Sequence, residues 1–310
     1  MGCGAFKVVY KAIDQDEGIE VAWNEISVSG DLQSLDSLVS EVKLLKDIQH
    51  PHIIAFYDAW YDEDNLKVVL ITERMTGGTI KNFIQKKGPF KLNVIKRWCK
   101  QILIGLDYLH SHNPPIVHHD IKSDNIFVNS ITGIVKIGDL GLCTQLFEGK
   151  IKDVVGTLEF LSPESFEGTV SEAVDIWAFG MSVIEITTLE YPYSECKSNF
   201  GMVYRKITRG ERPLAYYRIN DQELLSFIND CISYKTETRK NAKELLEHPF
   251  LNILDGLSDA RFISLRSDME LEKYLQELQI SGTIPLLKSI SSPALSSNKP
   301  DTGKGTPKNG

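Results

Sequence analysis

Four polar side chains, spread over twenty residues, are the part of this chain whose types and order could do chemistry. Asp120 and Asn125 lie five residues apart in the stretch V-H-H-D-I-K-S-D-N, with Lys122 between them, and Asp139 follows Asn125 by fourteen residues. Phosphoryl transfer needs a hydroxyl, a metal-bound triphosphate and a base held in line, but little covalent help from a protein. Two carboxylates, an amide and a lysine on two neighbouring loops can supply that arrangement.

These residues match the protein-kinase catalytic loop, H-R-D-L-x-x-x-N, followed by a D-F-G-like triplet. Asp120 stands at the position of the base, and Asn125 and Asp139 stand at the positions of the magnesium ligands. Lys122 stands where a lysine neutralises the transferred phosphate in the kinases that the chain resembles. The resemblance implies ATP as the phosphate donor, Mg²⁺ as the cofactor and proteins as substrates.

The composition is typical of a globular protein of the cytoplasm. The 310 residues carry 34 basic and 42 acidic side chains, a net charge of −8, and no basic face dominates, which argues against a nucleic-acid partner. The five cysteines form no C-x-x-C pair, so we expect reduced thiols rather than disulfides or a zinc site. No apolar run reaches transmembrane length, so we expect no stable membrane association.

Hydrophobic periodicity predicts an α+β chain that begins with strands and continues with helices. Strands are predicted over residues 8–13, 20–26, 57–60 and 67–72, and helices over 34–48, 92–112, 174–189, 200–208, 221–232 and 242–248. This order is that of the bilobal protein kinase fold, with a β-rich N-lobe over residues 1–75, its first strand missing or incomplete, and a helical C-lobe over 76–251. We expect a C-terminal extension over 252–280, with a short helix over 268–278, and a disordered tail over 281–310.

An uncharged residue occupies the position of the usual catalytic lysine. Protein kinases carry V-A-I-K on the third strand, where the lysine pairs the α- and β-phosphates, but this chain reads V-A-W-N and has Asn24 there. Side chains of a strand alternate between its faces, so Lys7 points to the same face as Val9, the valine that covers the adenine. We predict that Lys7 supplies the missing charge. The alternative is a solvated loop lysine.

Several longer stretches carry a resemblance to one kinase family. They include F-K-V-V-Y-K-A, G-I-E-V-A-W-N-E, H-P-H-I-I-A-F-Y-D-A-W, V-K-I-G-D-L-G-L, D-I-W-A-F-G-M and E-Y-P-Y-S-E-C, and they span residues 2 to about 251. The chain resembles the with-no-lysine (WNK) serine/threonine protein kinases, and the asparagine of V-A-W-N is similar to their plant branch. That family places its catalytic lysine at the position of Lys7. The implied activity is that of a non-specific serine/threonine protein kinase.

The resemblance also assigns a nucleotide site and an anion site. The ATP-binding positions comprise the glycine-rich loop, the adenine pocket with its gatekeeper, and the helix-C glutamate expected to pair with the lysine: Gly2, Gly4, Lys7, Val9, Ala22, Glu41, Thr72, Glu73 and Met75. In this family a chloride ion holds the kinase inactive, and the matching positions are Phe56, Leu70, Leu140, Gly141 and Leu142. An apolar pocket with converging amide donors can hold an anion. Ordinary core packing would use the same residue types.

Further positions match residues that support the site in the kinases that the chain resembles. Glu164 and Arg239 match a structural ion pair, and Asp175 matches the aspartate that braces the catalytic loop. Thr157 matches a position of the substrate platform, and Leu158 replaces a proline of the family there.

Two positions that control activation have changed together. His119 replaces the arginine of H-R-D, and Asp153 stands where the family carries its activating phosphoserine. We therefore expect a loop that phosphorylation no longer switches, with a fixed charge at Asp153 near His119. These departures leave a second interpretation open, a pseudokinase scaffold that keeps the fold but has weak or no phosphotransfer. The complete set of catalytic side chains favours the active kinase.

Overall fold

The computed structural model describes residues 7–27, 42, 45–140, 143–145, 154–168 and 170–252. The chain divides into two units, Met1–Phe262 and Ile263–Gly310, and every described residue belongs to the first. The helix predicted over 268–278 and the tail over 281–310 lie outside the described residues. Of the helix predicted over 34–48, residues 42 and 45–48 are described. Residues 42 and 45–47 are helical, whereas residue 48 is not. The lobe boundaries remain predictions.

The N-terminal part is a four-stranded antiparallel sheet in the order β1-β2-β4-β3. Its strands are β1 (Lys7–Ile13), β2 (Glu20–Ser27), β3 (Phe56–Asp62) and β4 (Lys67–Glu73). All four strands were predicted to within two residues at each end. In the turn between β1 and β2, the Gly18 N–H donates to the Asp14 carbonyl at 2.9 Å, and Gly18 takes a φ of 69° that glycine adopts without a steric penalty.

The β1–β2 register decides which side chains share a face. Lys7 lies opposite Ile26, and Val9 lies opposite Asn24. Residues directly opposite each other in an antiparallel pair project to the same side of the sheet, and so do alternate residues of one strand. Lys7, Val9 and Asn24 therefore share one face, as the alternation predicted.

The larger apolar core lies in the helical part. Its helices are α1 (Ile80–Lys87), α2 (Leu92–His110), α3 (Ala173–Thr188), α4 (Phe200–Thr208), α5 (Gln222–Cys231) and α6 (Ala242–Leu246). The central helix is α3, which is buried along both its faces from Val174 to Ile186. A helix that is buried all round lies in the middle of a core, and α3 brings the buried carboxyl groups of Asp175 and Glu185 there together with its apolar side chains. None of the described helices is long and apolar enough to cross a membrane.

Two short strand pairs bracket the polar loops that carry the predicted chemistry. β5 (Ile116–Val117) pairs with β8 (Thr144–Gln145), and β6 (Ile126–Val128) pairs with β7 (Val135–Ile137). Strands of two or three residues are too short to show a period, so the sequence did not reveal them.

Helix α1 was also missed, although its signal is present. The Thr79 hydroxyl caps it by accepting a hydrogen bond from the Asn82 N–H at 3.3 Å, and its buried residues Ile80 and Ile84 are four apart. Two predicted helices end early, α2 at His110 instead of 112 and α6 at Leu246 instead of 248. After α6, the His248 side chain caps the next turn by accepting from the Phe250 N–H at 3.0 Å.

Candidate active site

The loop after β5 is held by one buried carboxylate. Asp175, near the start of α3, is fully buried, and it accepts hydrogen bonds from the main-chain N–H groups of His118 at 2.8 Å and His119 at 2.9 Å. The His110 ring nitrogen Nε2 lies 2.9 Å from the same carboxylate. Burial alone would raise the pKa of Asp175, but the His110 hydrogen bond and charge and the His118 contacts hold the pKa below its ordinary value. An ionised carboxylate thus fixes the backbone that precedes Asp120.

His118, which is not among the predicted site residues, joins the two polar loops. Its Nε2 lies 3.0 Å from the Gly138 carbonyl, and its Nδ1 accepts from the Asp120 N–H at 3.2 Å. A carbonyl only accepts and an N–H only donates, so this geometry assigns the proton to Nε2. The Gly138 N–H in turn donates to the Asn125 carbonyl at 2.8 Å. These bonds bring the loop of Asn125 beside the residue that precedes Asp139.

Asp120 lies at the centre of a four-residue network. Lys122 Nζ is 2.7 Å from Asp120 Oδ2, and the Thr157 hydroxyl donates to Asp120 Oδ1 at 2.7 Å while it accepts from Lys122 Nζ at 2.6 Å. Asn125 Nδ2 donates to Asp120 Oδ2 at 2.7 Å and to its carbonyl at 2.8 Å. Burial works to raise the pKa of Asp120, but hydrogen bonds from Lys122 and Thr157 outweigh it and lower the pKa. The carboxylate is therefore ionised at neutral pH.

Thr157 was predicted only as part of a substrate platform. Thr157 also contacts Asp120 and Lys122 directly, although they precede it by 37 and 35 positions in the chain. The motif places a threonine at this position, but neither its spacing nor its residue type reveals which side chains it touches.

The two candidate metal ligands fit a divalent cation. Asn125 commits its Nδ2 hydrogens to Asp120, which leaves its Oδ1 lone pairs as the atom that can bind a cation. Asp139 offers a carboxylate that is 41 % exposed. Carboxylate and amide oxygens are ligands that Mg²⁺ accepts, and it usually takes the rest of its shell from water and substrate phosphates. The described residues contain no cluster of three or more His, Cys, Asp or Glu side chains that could hold a metal.

Lys7 reaches this site from the sheet. Its Nζ lies 2.7 Å from Asp139 Oδ1, although the two residues are 132 positions apart. The lysine side chain is 34 % exposed, so it is neither buried in the core nor a free surface group. Lys7 was expected either to enter the nucleotide pocket or to be a solvated loop lysine, and this contact favours the pocket. The expected partner Glu41 lies outside the described residues.

Asn24 is not available to a nucleotide in the way that a lysine would be. It is 6 % exposed, and its Nδ2 lies 3.1 Å from the carbonyls of Ala22 and Leu70 and 3.2 Å from the Thr72 hydroxyl. An asparagine amide has two N–H donors, and both are used inside the sheet. Asn24, at the position where other kinases carry the lysine, is thus part of the hydrogen-bonded structure around Thr72, the predicted gatekeeper.

The described adenine-pocket positions lie along β1, β2 and β4 and just beyond. Val9 is 56 % exposed on the shared face, and Met75 is buried. The Glu73 N–H donates to the Ala55 carbonyl at 2.8 Å, and its side chain pairs with Lys136 at 2.7 Å. Backbone contacts from Glu73 and Met75 to adenine remain predictions. Gly2 and Gly4 lie outside the described residues.

His119 replaces the usual arginine and has an uncharged partner. It lies at a φ of 68°, is 8 % exposed, and places Nε2 2.7 Å from the Thr144 hydroxyl. Burial lowers its pKa below the ordinary value, so the ring is neutral at physiological pH. Asp153 lies outside the described residues, so its predicted proximity to His119 stays a prediction.

Three of the five chloride positions are described. Leu140 is 7 % exposed and belongs to an apolar cluster with Leu45, Ile53 and Leu109, against which Phe56 packs. Leu70 is also buried, whereas Gly141 and Leu142 lie outside the described residues. Core packing alone would explain these contacts, so the anion site remains a prediction.

The predicted ion pair between Glu164 and Arg239 is present and buried. Both guanidinium NH groups meet the Glu164 carboxylate, one of them at 3.1 Å, and Nη1 also donates to the Ala173 carbonyl at 2.9 Å. Because Ala173 begins α3, this arginine ties the segment after Thr157 to the central helix that carries Asp175.

Comparisons with known proteins agree with this geometry. Residues 1–251 match the family described as the protein kinase domain. The chain is 43 % identical over 283 residues to serine/threonine-protein kinase WNK8 of Arabidopsis thaliana, covering 90 % of this chain and 49 % of that protein. It is 44 % identical over 265 residues to serine/threonine-protein kinase WNK3 of Mus musculus, covering 83 % of this chain and 15 % of that protein. It is 47 % identical over 256 residues to serine/threonine-protein kinase pkpA of Phycomyces blakesleeanus, covering 82 % of this chain and 41 % of that protein.

The chain thus spans between 15 % and 49 % of the length of these three relatives. Plant, animal and fungal relatives match it about equally well, so the plant branch remains a prediction.

Proposed function

Because this chain belongs to the protein kinase domain family, and within it to the with-no-lysine (WNK) kinases, we propose that it transfers the γ-phosphate of ATP to serine or threonine of protein substrates. The observation that carries the proposal is the 2.7 Å contact between Lys7 Nζ and the Asp139 carboxylate. This contact supports a catalytic role for the Lys7 ammonium, which lies beside the candidate metal ligand Asp139 in a chain that has Asn24 at the usual lysine position. A scaffold without catalysis would have no need of that charge.

In the proposed reaction Asp120 orients the substrate hydroxyl and accepts its proton. Its lowered pKa keeps it ionised, and its bonds to Thr157 and Asn125 fix both carboxylate oxygens. Lys122 would donate to the transferring phosphoryl group, since its ammonium already lies between Asp120 and Thr157. Lys7 would donate to the α- and β-phosphates.

Asn125 and Asp139 would hold Mg²⁺ through Oδ1 and the carboxylate. When bound, Mg²⁺ neutralises charge on the phosphate oxygens. The chain's own contribution is to hold these two ligands on loops joined by the bond from the Gly138 N–H to the Asn125 carbonyl. The remaining nucleotide positions, Val9, Ala22 and the backbone at Met75, would enclose the adenine.

We also propose how the activity of this kinase is regulated, by the activation loop and by chloride. The neutral, buried His119 cannot offer the permanent charge with which an arginine grips a phosphate, which supports a loop that phosphorylation does not switch. Inhibition by chloride near Leu140 rests on the family resemblance. We further propose a cytoplasmic location.

The test is phosphorylation of a generic serine/threonine protein substrate with Mg²⁺ and ATP. Lys7→Met should lower kcat by at least about a hundredfold, the order seen when one donor to a developing charge is removed. Lys11→Met is the matched control, because Lys11 lies on the same strand and pairs with Glu20. It should leave kcat within about twofold of wild type. Asp120→Ala sets the background.

The outcomes separate the two readings. Loss of activity in Lys7→Met but not in Lys11→Met supports a kinase with a relocated lysine. A wild type as inactive as Asp120→Ala, while it still binds ATP, would favour the pseudokinase. Replacing chloride by gluconate at constant ionic strength should raise wild-type activity if chloride inhibits. Equal rates in both salts would remove that part of the proposal.

A further inference from the structure

A lysine of α1 is attached twice to the candidate catalytic loop. The main-chain N–H of Lys81 donates to the Ser123 carbonyl at 3.1 Å, and Lys81 Nζ lies 2.8 Å from Asp124 Oδ2. Asp124 directly precedes Asn125 and follows Asp120 by four residues. The lysine is therefore fixed to the loop at both its backbone and its charge.

The surroundings of this ammonium form a site for a cation. Its Nζ lies 4.8 Å from the centre of the Tyr191 ring, a geometry in which the ring face attracts positive charge. Beneath the loop, Glu185 accepts a hydrogen bond from the buried Ser123 hydroxyl at 2.7 Å. Burial is the largest influence on the pKa of Glu185 and raises it. The Ser123 hydrogen bond and the charge of Lys81 lower the pKa, and the charge of Asp124 raises it. The Asp124 carboxylate and the face of the Tyr191 ring thus lie against one ammonium, and Glu185 is within reach of its charge.

This ion pair belongs to the loop that carries Asp120, because Ser123 and Asp124 follow Asp120 by three and four residues. Burial raises the pKa of Tyr191, and the negative charges of Glu159, Glu185, Asp124 and Asp120 raise it further, so the ring is within electrostatic reach of both the ion pair and Asp120. The side chains of Lys81 and Asp124 are 28 % and 38 % exposed, so they face solvent at the rim of the site. We therefore expect a peptide that presents its hydroxyl to Asp120 to approach the Lys81–Asp124 pair with one of its neighbouring residues.

We propose that Lys81 determines substrate preference by occupying, with its own ammonium, the position where Asp124 and Tyr191 would otherwise bind a basic residue of the substrate. Wild type then gains nothing from arginine at that position of the peptide and disfavours it through like-charge repulsion. This inference rests on the proposed function, since it concerns the peptide side of the same site. Removing the ammonium should create a preference for arginine.

The experiment compares wild type with Lys81→Met, which keeps an apolar stem beside Tyr191. The substrates are serine peptides that carry a single arginine in turn at each of four positions on either side of the acceptor, with alanine elsewhere. Lys81→Met should raise the arginine-to-alanine ratio of kcat/KM by about three- to fivefold at one position, the value of a partly exposed ion pair, and added salt should weaken the gain.

Two further variants identify the cause. Lys86→Met removes an exposed charge from the same helix, about 140° around its axis, and should leave every ratio as in wild type. Lys81→Met combined with Asp124→Asn should abolish the gain, because the carboxylate that would bind arginine is absent. A gain that persists in the double variant would overturn the proposal, and so would unchanged ratios in Lys81→Met.

Equilibrium binding of the same fluorescent peptides supplies a readout that does not need turnover. If no variant phosphorylates any peptide, the proposed function fails, but tighter binding of one arginine peptide to Lys81→Met than to wild type would still support the role of Lys81. Equal binding by both proteins would overturn it. Circular dichroism and the Tm of each variant verify that its overall helix content and stability match those of wild type.

Discussion

Glu185 is a buried carboxyl whose replacement by glutamine should stabilise the protein at alkaline pH. It lies on α3 and is 3 % exposed, and burial raises its pKa from 4.5 to about 7. The groups that act on it are the Ser123 hydroxyl and the charges of Lys81 and Asp124. Glutamine keeps an oxygen that accepts the Ser123 hydrogen bond but never takes a charge.

The sign and size of the effect follow from proton linkage. Between pH 4.5 and 7 the folded protein binds a proton at Glu185 more tightly than the unfolded chain does, so the stability from this group is greatest at acid pH and is lost as the pH rises through 7. The full shift of about 2.5 pH units corresponds to about 3 kcal/mol. Integration from pH 5.5 to 8.5 gives a loss of about 2 kcal/mol in wild type that Glu185→Gln does not undergo.

Thermal unfolding of wild type and Glu185→Gln at pH 5.5 and pH 8.5 measures this difference. The advantage of the variant in Tm should be about 4 °C larger at pH 8.5 than at pH 5.5. Glu237→Gln, at an exposed position, is the control and should shift Tm equally at both pH values. If the effect of Glu185→Gln is also the same at both pH values, the carboxyl is not held protonated by burial and the reasoning fails.

Two more changes probe the site itself. Thr157→Ala removes the hydroxyl between Asp120 and Lys122 and should lower kcat for peptide phosphorylation by about 10- to 100-fold. Thr157→Ser keeps a hydroxyl and should restore most of the activity. An alanine variant as fast as wild type would show that the Thr157 hydrogen bonds have no catalytic effect. Gly156 has a φ of 113°, and a Cβ added there would lie 2.4 Å from the His119 carbonyl oxygen. Gly156→Ala should therefore lower the free energy of unfolding, measured in urea, by about 2 kcal/mol and also lower activity. Gly201→Ala on α4 is its control, because the added Cβ would meet only the Asn199 side chain at 3.6 Å, and equal losses in both variants would contradict the predicted clash.

The sequence predicted the parts of the fold that follow a period. The alternation of β1 placed Lys7 on the face of Val9 and Asn24, and the β1–β2 register has them there. Apolar periodicity found α2 through α6, because each of these helices buries at least one face. Helix α1 is short enough that its Thr79 cap and two isoleucines were overlooked.

The partners of the polar side chains could not be predicted in the same way. Neither the contact of Lys7 with Asp139 nor that of His119 with Thr144 has a local pattern, since the pairs are 132 and 25 residues apart. Such contacts depend on how the sheet and the loops pack together, which a motif does not specify. The role of Thr157 escaped for the same reason.

The proposed role of Lys7 as the catalytic lysine has a consequence for how that side chain is held in place. Among the described strands β1 pairs with β2 alone, whereas β2, which carries Asn24, is paired on both sides. A strand with one neighbour is held by a single ladder of hydrogen bonds. The end of that ladder opens at a lower cost in free energy than a strand in the interior of the sheet. Lys7 is the first residue of that ladder within the part of the chain that the structure describes. Local opening at the start of β1 would withdraw the ammonium from Asp139 while the rest of the sheet stayed folded, and amide hydrogen exchange along β1 would report on catalytic readiness.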